Sequence, residues 1–167
     1  MKILAICGSL QSKSSNLTLI EQAIALAPTG VTITAYDGLR DLPQFNPDLE
    51  EHRELAVVRA LRDAVSSSDA LLIACPEYGH SLPGALKNAV DWLIGSGELE
   101  RKIVAITAAV PHPDCGRRGL KALADTLGAV SARIVFGEPI VKGPTLGNEV
   151  GRLLALLIAE IQMSGHA

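Results

Sequence analysis

The fold is best read from residues 70–93, which run ALLIACPEYGHSLPGALKNAVDWL. The first six residues are all apolar, which is typical of a central parallel strand that is covered on both faces. A loop follows over residues 76–81, and Pro83 then suits the first turn of a helix that continues to about residue 93. This stretch therefore predicts a strand, a loop and a helix, in the order that builds a parallel α/β sheet.

The same alternation continues on both sides of this unit. Residues 41–48 contain two prolines and are predicted to be a loop, and Ser14, Ser15 and Asn16 are candidate caps for the first helix. Five alternating units without a repeat or linker predict one α/β domain over residues 1–167. We expect helices on both faces of five parallel strands in the order 2-1-3-4-5. The predicted strands are 2–7, 31–36, 70–75, 102–109 and 132–136; the predicted helices are 17–27, 49–67, 83–93, 120–127 and 146–163.

The composition limits the classes of protein to which the chain can belong. Of its 167 residues, 48% are apolar and 20% charged, so a sizeable core can form. A net charge of −3 without a lysine or arginine run is unlike a nucleic-acid binder. Apolar runs of strand length and the absence of a leader pattern predict no membrane insertion and a cytoplasmic location. The three cysteines lack CxxC spacing, so we expect neither disulfides nor a metal site.

The loop after the first strand is a candidate phosphate site. Ligands of doubly wound sheets bind beyond the carboxyl ends of the strands, which draws attention to the loops after residues 7, 75 and 109. Residues 8–17, GSLQSKSSNL, offer backbone N–H groups, hydroxyls and a helix N-terminus. They contain neither GxGxxG nor GxxxxGK[ST], which argues against nucleotide hydrolysis. A polar turn whose serines only cap the helix explains the same residues equally well.

The loop after the third strand could hold a flat ring. Gly79 would let backbone approach a planar ligand closely, and Tyr78 would supply an aromatic wall. His80 is either a proton donor to such a ligand or another contact with it, or else an exposed loop histidine. Trp92 is expected to pack its helix against the sheet.

Three motifs together resemble the NADPH-dependent FMN reductase family of flavodoxin-like proteins, which includes quinone, chromate and azo-dye reductases. Residues 8–16, GSLQSKSSN, are similar to the family's GS-x-R-x-x-S-x-N. Residues 76–93 are similar to PEYN-x-S-x-PG-x-LKNA-[IV]-DW-[LI], and residues 42–50, LPQFNPDLE, to LP-x-[YF]-x-x-DLE. The resemblance covers most of residues 1–95 and implies a flavodoxin-like three-layer sandwich.

The resemblance also implies a set of FMN-binding residues. Those at the phosphate end are Ser9, Gln11, Ser14, Ser15, Asn16 and Leu17; those along the isoalloxazine ring are Pro76, Glu77, Tyr78, Gly79 and His80. The chain departs from the family pattern at two of these positions. Gln11 replaces an arginine that would bind the phosphate with a charge-assisted hydrogen bond, and Gly79 replaces an asparagine beside the ring. The glycine-rich segment that the family has after its fourth strand is matched only loosely by residues 108–119.

The activity implied by this resemblance is an NAD(P)H-dependent oxidoreductase that passes electrons through FMN to a quinone or a similar small acceptor. The flavin would do the redox chemistry, so we predict no catalytic side chain. Two other classes stay open: an FMN-binding electron carrier, and a binding module of the same fold that holds little flavin. The sequence does not choose between NADPH and NADH.

The family resemblance further implies a homodimer or homotetramer. Apolar residues on the helix over residues 83–93 and in the loop over residues 42–50 are expected to form part of a two-fold interface. These residues are Leu42, Phe45, Leu86 and Val90.

Overall fold

A computed structural model describes residues 1–52 and 55–165 of the chain, and these residues alternate strands and helices. The strands are β1 (Lys2–Cys7), β2 (Thr32–Tyr36), β3 (Ala70–Ala74), β4 (Ile103–Val110), β5 (Arg133–Phe136) and β6 (Pro139–Val141). The helices are α1 (Ser15–Ala25), a 3₁₀ helix (Gly38–Asp41), α2 (Pro47–His52), α3 (Ala56–Ser66), α4 (Gly84–Ile94), α5 (Arg117–Ala129) and α6 (Leu146–Ser164).

The parallel sheet has the strand order β2-β1-β3-β4-β5, which confirms the predicted order. A sixth strand, β6, was not predicted. It pairs in parallel with the last residues of β4, while β5 pairs with the first ones. The two short strands thus share one edge of β4, and the Thr107 hydroxyl donates to the carbonyl of Glu138 at 2.9 Å in the gap between them.

Helices cover both faces of the sheet. Side chains of α3, α4 and α5 pack on one face against alternate residues of β1 and β3, such as Leu4 and Ile73. Side chains of α1 and α6 pack on the other face against Ile3 and Leu72. This alternation explains why all five residues of β3 are buried, as the apolar run predicted.

The predicted helix over residues 49–67 is wrong as one continuous element. The chain forms α2 from Pro47 and begins α3 at Ala56, while residues 53 and 54 lie outside the described residues. Leu55 has extended backbone, with φ −81° and ψ 121°, and its carbonyl accepts the N–H groups of Val58 and Arg59 at 3.0 and 2.9 Å. Leu55 therefore starts a new helix rather than continuing the previous one.

The predicted interface residues are not an exposed surface of the protomer, so that part of the assembly prediction is wrong. Leu42, Leu86 and Val90 are buried in the core. Phe45 is half-buried and packs edge-to-face on Trp92, with ring centroids 5.1 Å apart. Trp92 is 1% exposed, as expected for a residue between helix and sheet. The three buried side chains belong to the same core cluster as Trp92, so the fold itself uses them.

Candidate functional site

The loops that follow β1, β3 and β4 meet at the carboxyl edge of the sheet. The hydroxyls of Ser9 and Tyr78 share a hydrogen bond of 3.2 Å, which joins the first loop to the third-strand loop. Asn16 Oδ1 accepts the N–H of Ala109 at 2.9 Å, which ties the first turn of α1 to the end of β4. Side chains that the sequence placed in separate motifs therefore form one cluster.

Gly8 allows the first loop to pass close to β3. Its N–H donates to the carbonyl of Ala74 at 2.8 Å. A Cβ at this position would lie 3.1 Å from Leu86 Cδ2 and 3.3 Å from that carbonyl oxygen, so a larger residue would push the loop away. The turn that follows buries Ser9, whose Oγ accepts the N–H of Gln11 at 3.3 Å.

The first loop ends at the N-terminus of α1, the positive end of the helix dipole. Of the three candidate caps, Ser14 is the N-cap, and its Oγ accepts the N–H of Asn16 at 3.2 Å. An α-helix leaves its first N–H groups without intrahelical acceptors, and here those of Ser15 and Leu17 are among them. Ser14 and Asn16 are more than nine-tenths buried. Buried hydroxyl and amide groups around open helix N–H donors are the arrangement that binds a phosphate, so these residues fit the phosphate of FMN.

The first loop carries little positive charge of its own. Lys13 is its only charged residue, and both Lys13 and Gln11 are exposed. A guanidinium from another part of the chain lies against the loop, because Arg40 Nη2 donates to the carbonyl of Leu10 at 3.3 Å. The sequence motifs gave no indication of this contact.

The third-strand loop contains a two-residue reverse turn. Tyr78 and Ser81 exchange both backbone hydrogen bonds at 3.0 Å, and the residues between them, Gly79 and His80, have φ values of 57° and 63°. Positive φ at both central positions is the geometry of a type I′ turn. Nothing lies within 4 Å of the position that a Gly79 Cβ would occupy, and the Tyr78 side chain is half exposed. The turn therefore presents backbone and an aromatic ring to open space.

Glu77 lies in this loop but its carboxylate faces α5. Its Oε2 accepts the N–H groups of Arg118 and Gly119 at 3.0 and 3.2 Å. The residue at the start of α5, Gly116, has no side chain with which to cap the helix, so Glu77 supplies the cap from a distant strand end. The approach is close, since a Cβ on Gly119 would lie 3.0 Å from the Cα of Glu77.

Hydrogen bonds lower the pKa of Glu77 below its ordinary value. The largest contribution comes from His80, whose Nδ1 lies 3.1 Å from Oε1, and the N–H of Gly119 adds to it. His80 is otherwise turned to solvent, with 72% of its side chain exposed. Gly116 at the start of α5 is the residue from which the sequence could have indicated this role of Glu77. A helix without a side-chain cap of its own needs an acceptor from elsewhere.

The thiols near the site are poor nucleophiles. Burial, followed by the charge of Glu77, raises the pKa of Cys75 to about 12, and burial also raises the pKa of Cys7. Among the described side chains, those of residues 1–49 and 55–165, no group of three or more histidine, cysteine or acidic residues could hold a metal ion. In the same part of the chain, none of the helices is both long and apolar enough to cross a membrane.

Known proteins are similar to this chain in sequence and in fold. Residues 1–143 match the family model for NADPH-dependent FMN reductases. An NAD(P)H-dependent FMN reductase of Pseudomonas aeruginosa is 37% identical over 119 residues, which are 71% of this chain and 63% of that protein. A quinone reductase of Escherichia coli is 32% identical over 94 residues, 56% of this chain and 50% of that protein. The chain thus spans less than two thirds of either relative.

The fold of the chain is also that of solved flavoenzymes. A NAD(P)H:acceptor oxidoreductase of Paracoccus denitrificans superposes with a TM-score of 0.75 at 22% identity, over 95% of this chain and 97% of that one. This likeness supports the flavodoxin-like sandwich that the motifs implied. Because the family model covers the first loop, the third-strand loop and the sheet that joins them, the chain belongs to the NADPH-dependent FMN reductase family.

Proposed function

We propose that this chain binds FMN across the loops after β1 and β3 and catalyses the reduction of quinones or similar small acceptors by NADPH or NADH. When bound, FMN supplies the two-electron redox chemistry between nucleotide and acceptor. The observation that carries the proposal is the 3.2 Å bond between Ser9 and Tyr78, which joins the two FMN-type motifs at one edge of the sheet.

The first loop is proposed to hold the phosphate. The N-cap of α1 and the free N–H groups of its first turn face the end of the sheet, where an anion gains from the helix dipole. Each residue of this set offers a hydroxyl, an amide or a backbone N–H: Ser9, Gln11, Ser14, Ser15, Asn16 and Leu17.

The third-strand loop is proposed to line the isoalloxazine ring. Pro76, Tyr78, Gly79 and His80 would provide its surface, with Tyr78 shaping the side on which nucleotide and acceptor stack. The Glu77 carboxylate would not contact the ring, because it holds the first turn of α5. Its effect on the ring would come from fixing the position of the loop. It therefore serves as a positioning residue.

Flavin titration tests the phosphate end of this site. Replacing both Ser14 and Asn16 by alanine is expected to weaken FMN binding by at least about 1–2 kcal/mol, since two hydrogen bonds to a charged group are lost. Ser12→Ala, an exposed serine in the same loop, is the matched control and should leave the affinity unchanged. Equal FMN affinity of the double variant and the unaltered protein would contradict the site.

Nucleotide oxidation tests the reaction. The FMN-loaded protein should oxidise NADPH or NADH with benzoquinone faster than the same concentration of free FMN does. A protein that binds FMN but oxidises neither nucleotide would instead be an electron carrier. A protein that binds no FMN would be the binding module that the sequence left open.

We further propose that residues 1–167 form one FMN-binding domain, that the chain is cytoplasmic and that it assembles as a homodimer or homotetramer. Three free thiols, Cys7, Cys75 and Cys115, suit a reducing compartment. The assembly is proposed from the family resemblance, which implies a homodimer or homotetramer. A monomer in sedimentation at micromolar concentration would contradict the proposed assembly.

A further inference from the structure

We propose that Arg40 supplies the positive charge for the FMN phosphate, a role that the first loop does not fill by itself. This inference rests on the proposed function, because it concerns the same phosphate site. Arg40 lies outside all three motifs that point to FMN, in the 3₁₀ helix that follows β2.

The fold brings Arg40 to the first loop from a neighbouring strand. β2 is the partner of β1 in the sheet, so the turns after both strands emerge side by side at the carboxyl edge. The residues around Arg40 fix this turn, since Leu39 and Leu42 are only 4% and 7% exposed. The guanidinium then reaches the loop backbone, where Nη2 donates to the carbonyl of Leu10 at 3.3 Å.

The Arg40 guanidinium has N–H donors that its bond to Leu10 does not use. Among the side chains that the structure describes, Arg40 makes this one hydrogen bond and no ion pair, although Asp37 and Asp41 stand in the same turn. A guanidinium carries five N–H donors in a planar fork that matches two oxygens of a phosphate. Arg40 can therefore keep its bond to Leu10 and still pair with an anion on the loop.

The phosphate needs such a partner. A phosphate monoester carries about −1.5 to −2 charges at neutral pH. The hydroxyls, amides and N–H groups of the first loop are neutral, and Gln11 adds no charge. Lys13 is the one cation within the loop; like Arg40 it is exposed, but its side chain makes no hydrogen bond or ion pair among the described residues. Arg40 already lies against the loop, and a charge-assisted hydrogen bond is about twice as strong as a neutral one.

A comparison of FMN with riboflavin, which lacks the phosphate, isolates this role. Affinities for both flavins are measured by fluorescence quenching in the unaltered chain and in Arg40→Gln. We expect Arg40→Gln to lose about tenfold or more in FMN affinity and to keep its affinity for riboflavin. Arg40→Lys should retain part of the preference for FMN. Gln11→Arg in the Arg40→Gln background should restore it, because the charge returns from within the loop.

Two charge-matched controls accompany these variants. Lys13→Gln removes the cation of the loop, and Arg101→Gln removes an exposed arginine at the amino edge of the sheet. Both should keep the ratio of FMN to riboflavin affinity within about twofold of the unaltered chain.

Four results would overturn the inference. Unchanged affinities for both flavins in Arg40→Gln, or a fall in the FMN-to-riboflavin ratio in Lys13→Gln instead, would assign the charge elsewhere. Equal losses for both flavins in Arg40→Gln would show that Arg40 only shapes the loop. In each of these cases FMN still binds the unaltered chain, so the proposed function stands. If the unaltered chain binds neither flavin, both the inference and the proposed function fail.

Discussion

Removing the carboxylate of Glu77 tests how the third-strand loop is held. Its Oε2 accepts the N–H groups of Arg118 and Gly119, and α5 has no cap from its own first residues. Glu77→Ala leaves both donors without this acceptor and removes a negative charge from the positive end of the helix. Loss of a cap costs about 0.5–2 kcal/mol, and the charge adds about 0.3–1 kcal/mol. We expect a loss of about 1–2 kcal/mol in the free energy of unfolding, measured in urea at neutral pH.

Glu77→Gln separates the charge from the hydrogen bonds. An amide keeps one acceptor oxygen, so this variant should lose about half as much as Glu77→Ala. Glu138→Ala is the matched control. Its ion pair with Arg117, at 3.1 Å, joins side chains that are each more than half exposed, and its loss should cost about 0.5 kcal/mol.

The pH dependence of unfolding gives a second, independent signature. Hydrogen bonds from His80 and from the N–H of Gly119 hold the pKa of Glu77 below its ordinary value of 4.5. Glu77 therefore stabilises the fold fully above pH 4.5, and this contribution is lost as the pH falls through the lowered pKa. The difference in stability between the unaltered chain and Glu77→Gln should shrink below that pH. This account of Glu77 would be refuted if the unaltered chain, Glu77→Ala and Glu77→Gln were equally stable at neutral pH. A difference in stability that grows on acidification would refute it as well.

Three further predictions concern neighbouring positions. Gly119→Ala should destabilise the fold by about 1–3 kcal/mol in urea unfolding, because its Cβ would meet the third-strand loop at 3.0–3.2 Å. Gly128→Ala, with open space in the same helix, should instead stabilise it by about 0.5 kcal/mol. Tyr78→Ala should lower quinone turnover while the chain stays folded, because the side chain is half exposed and its removal costs one hydrogen bond, to Ser9; unchanged turnover would remove Tyr78 from the site. At about pH 8, an alkylating reagent should modify exposed Cys115 and spare Cys75, whose pKa burial raises to about 12; peptide mapping that finds Cys75 modified would contradict this.

Local pattern was enough to predict most of the fold. The apolar run at residues 70–75 became the fully buried β3, and Ser14 became the N-cap of α1. The failures were at places where distant contacts decide the local structure. β6 has only three residues and begins with Pro139, and it forms because the end of β4 lacks a partner once β5 has ended. The break at Leu55 was hidden because Leu55 itself keeps the helical spacing with Val58 and Leu61, although it lies outside the helix.

The candidate site was predictable to a similar extent and for the same reason. The motifs pointed to two loops that the structure joins, since backbone turns and helix caps have local signatures. They did not show that Glu77 caps α5, that Asn16 binds the N–H of Ala109, or that Arg40 reaches Leu10. Each of these contacts joins residues that lie far apart in the chain and meet only after the sheet has assembled.

Anaerobic reduction of the FMN complex is the most direct test of the proposed reaction. The complex is mixed with NADPH, and separately with NADH, while the visible absorption of the flavin is followed; benzoquinone is then added. We predict that at least one nucleotide bleaches the flavin faster than it bleaches free FMN at the same concentration, and that the quinone restores the absorption. Bleaching no faster than that of free FMN with either nucleotide, in a protein that has bound FMN, would contradict the proposed reductase activity.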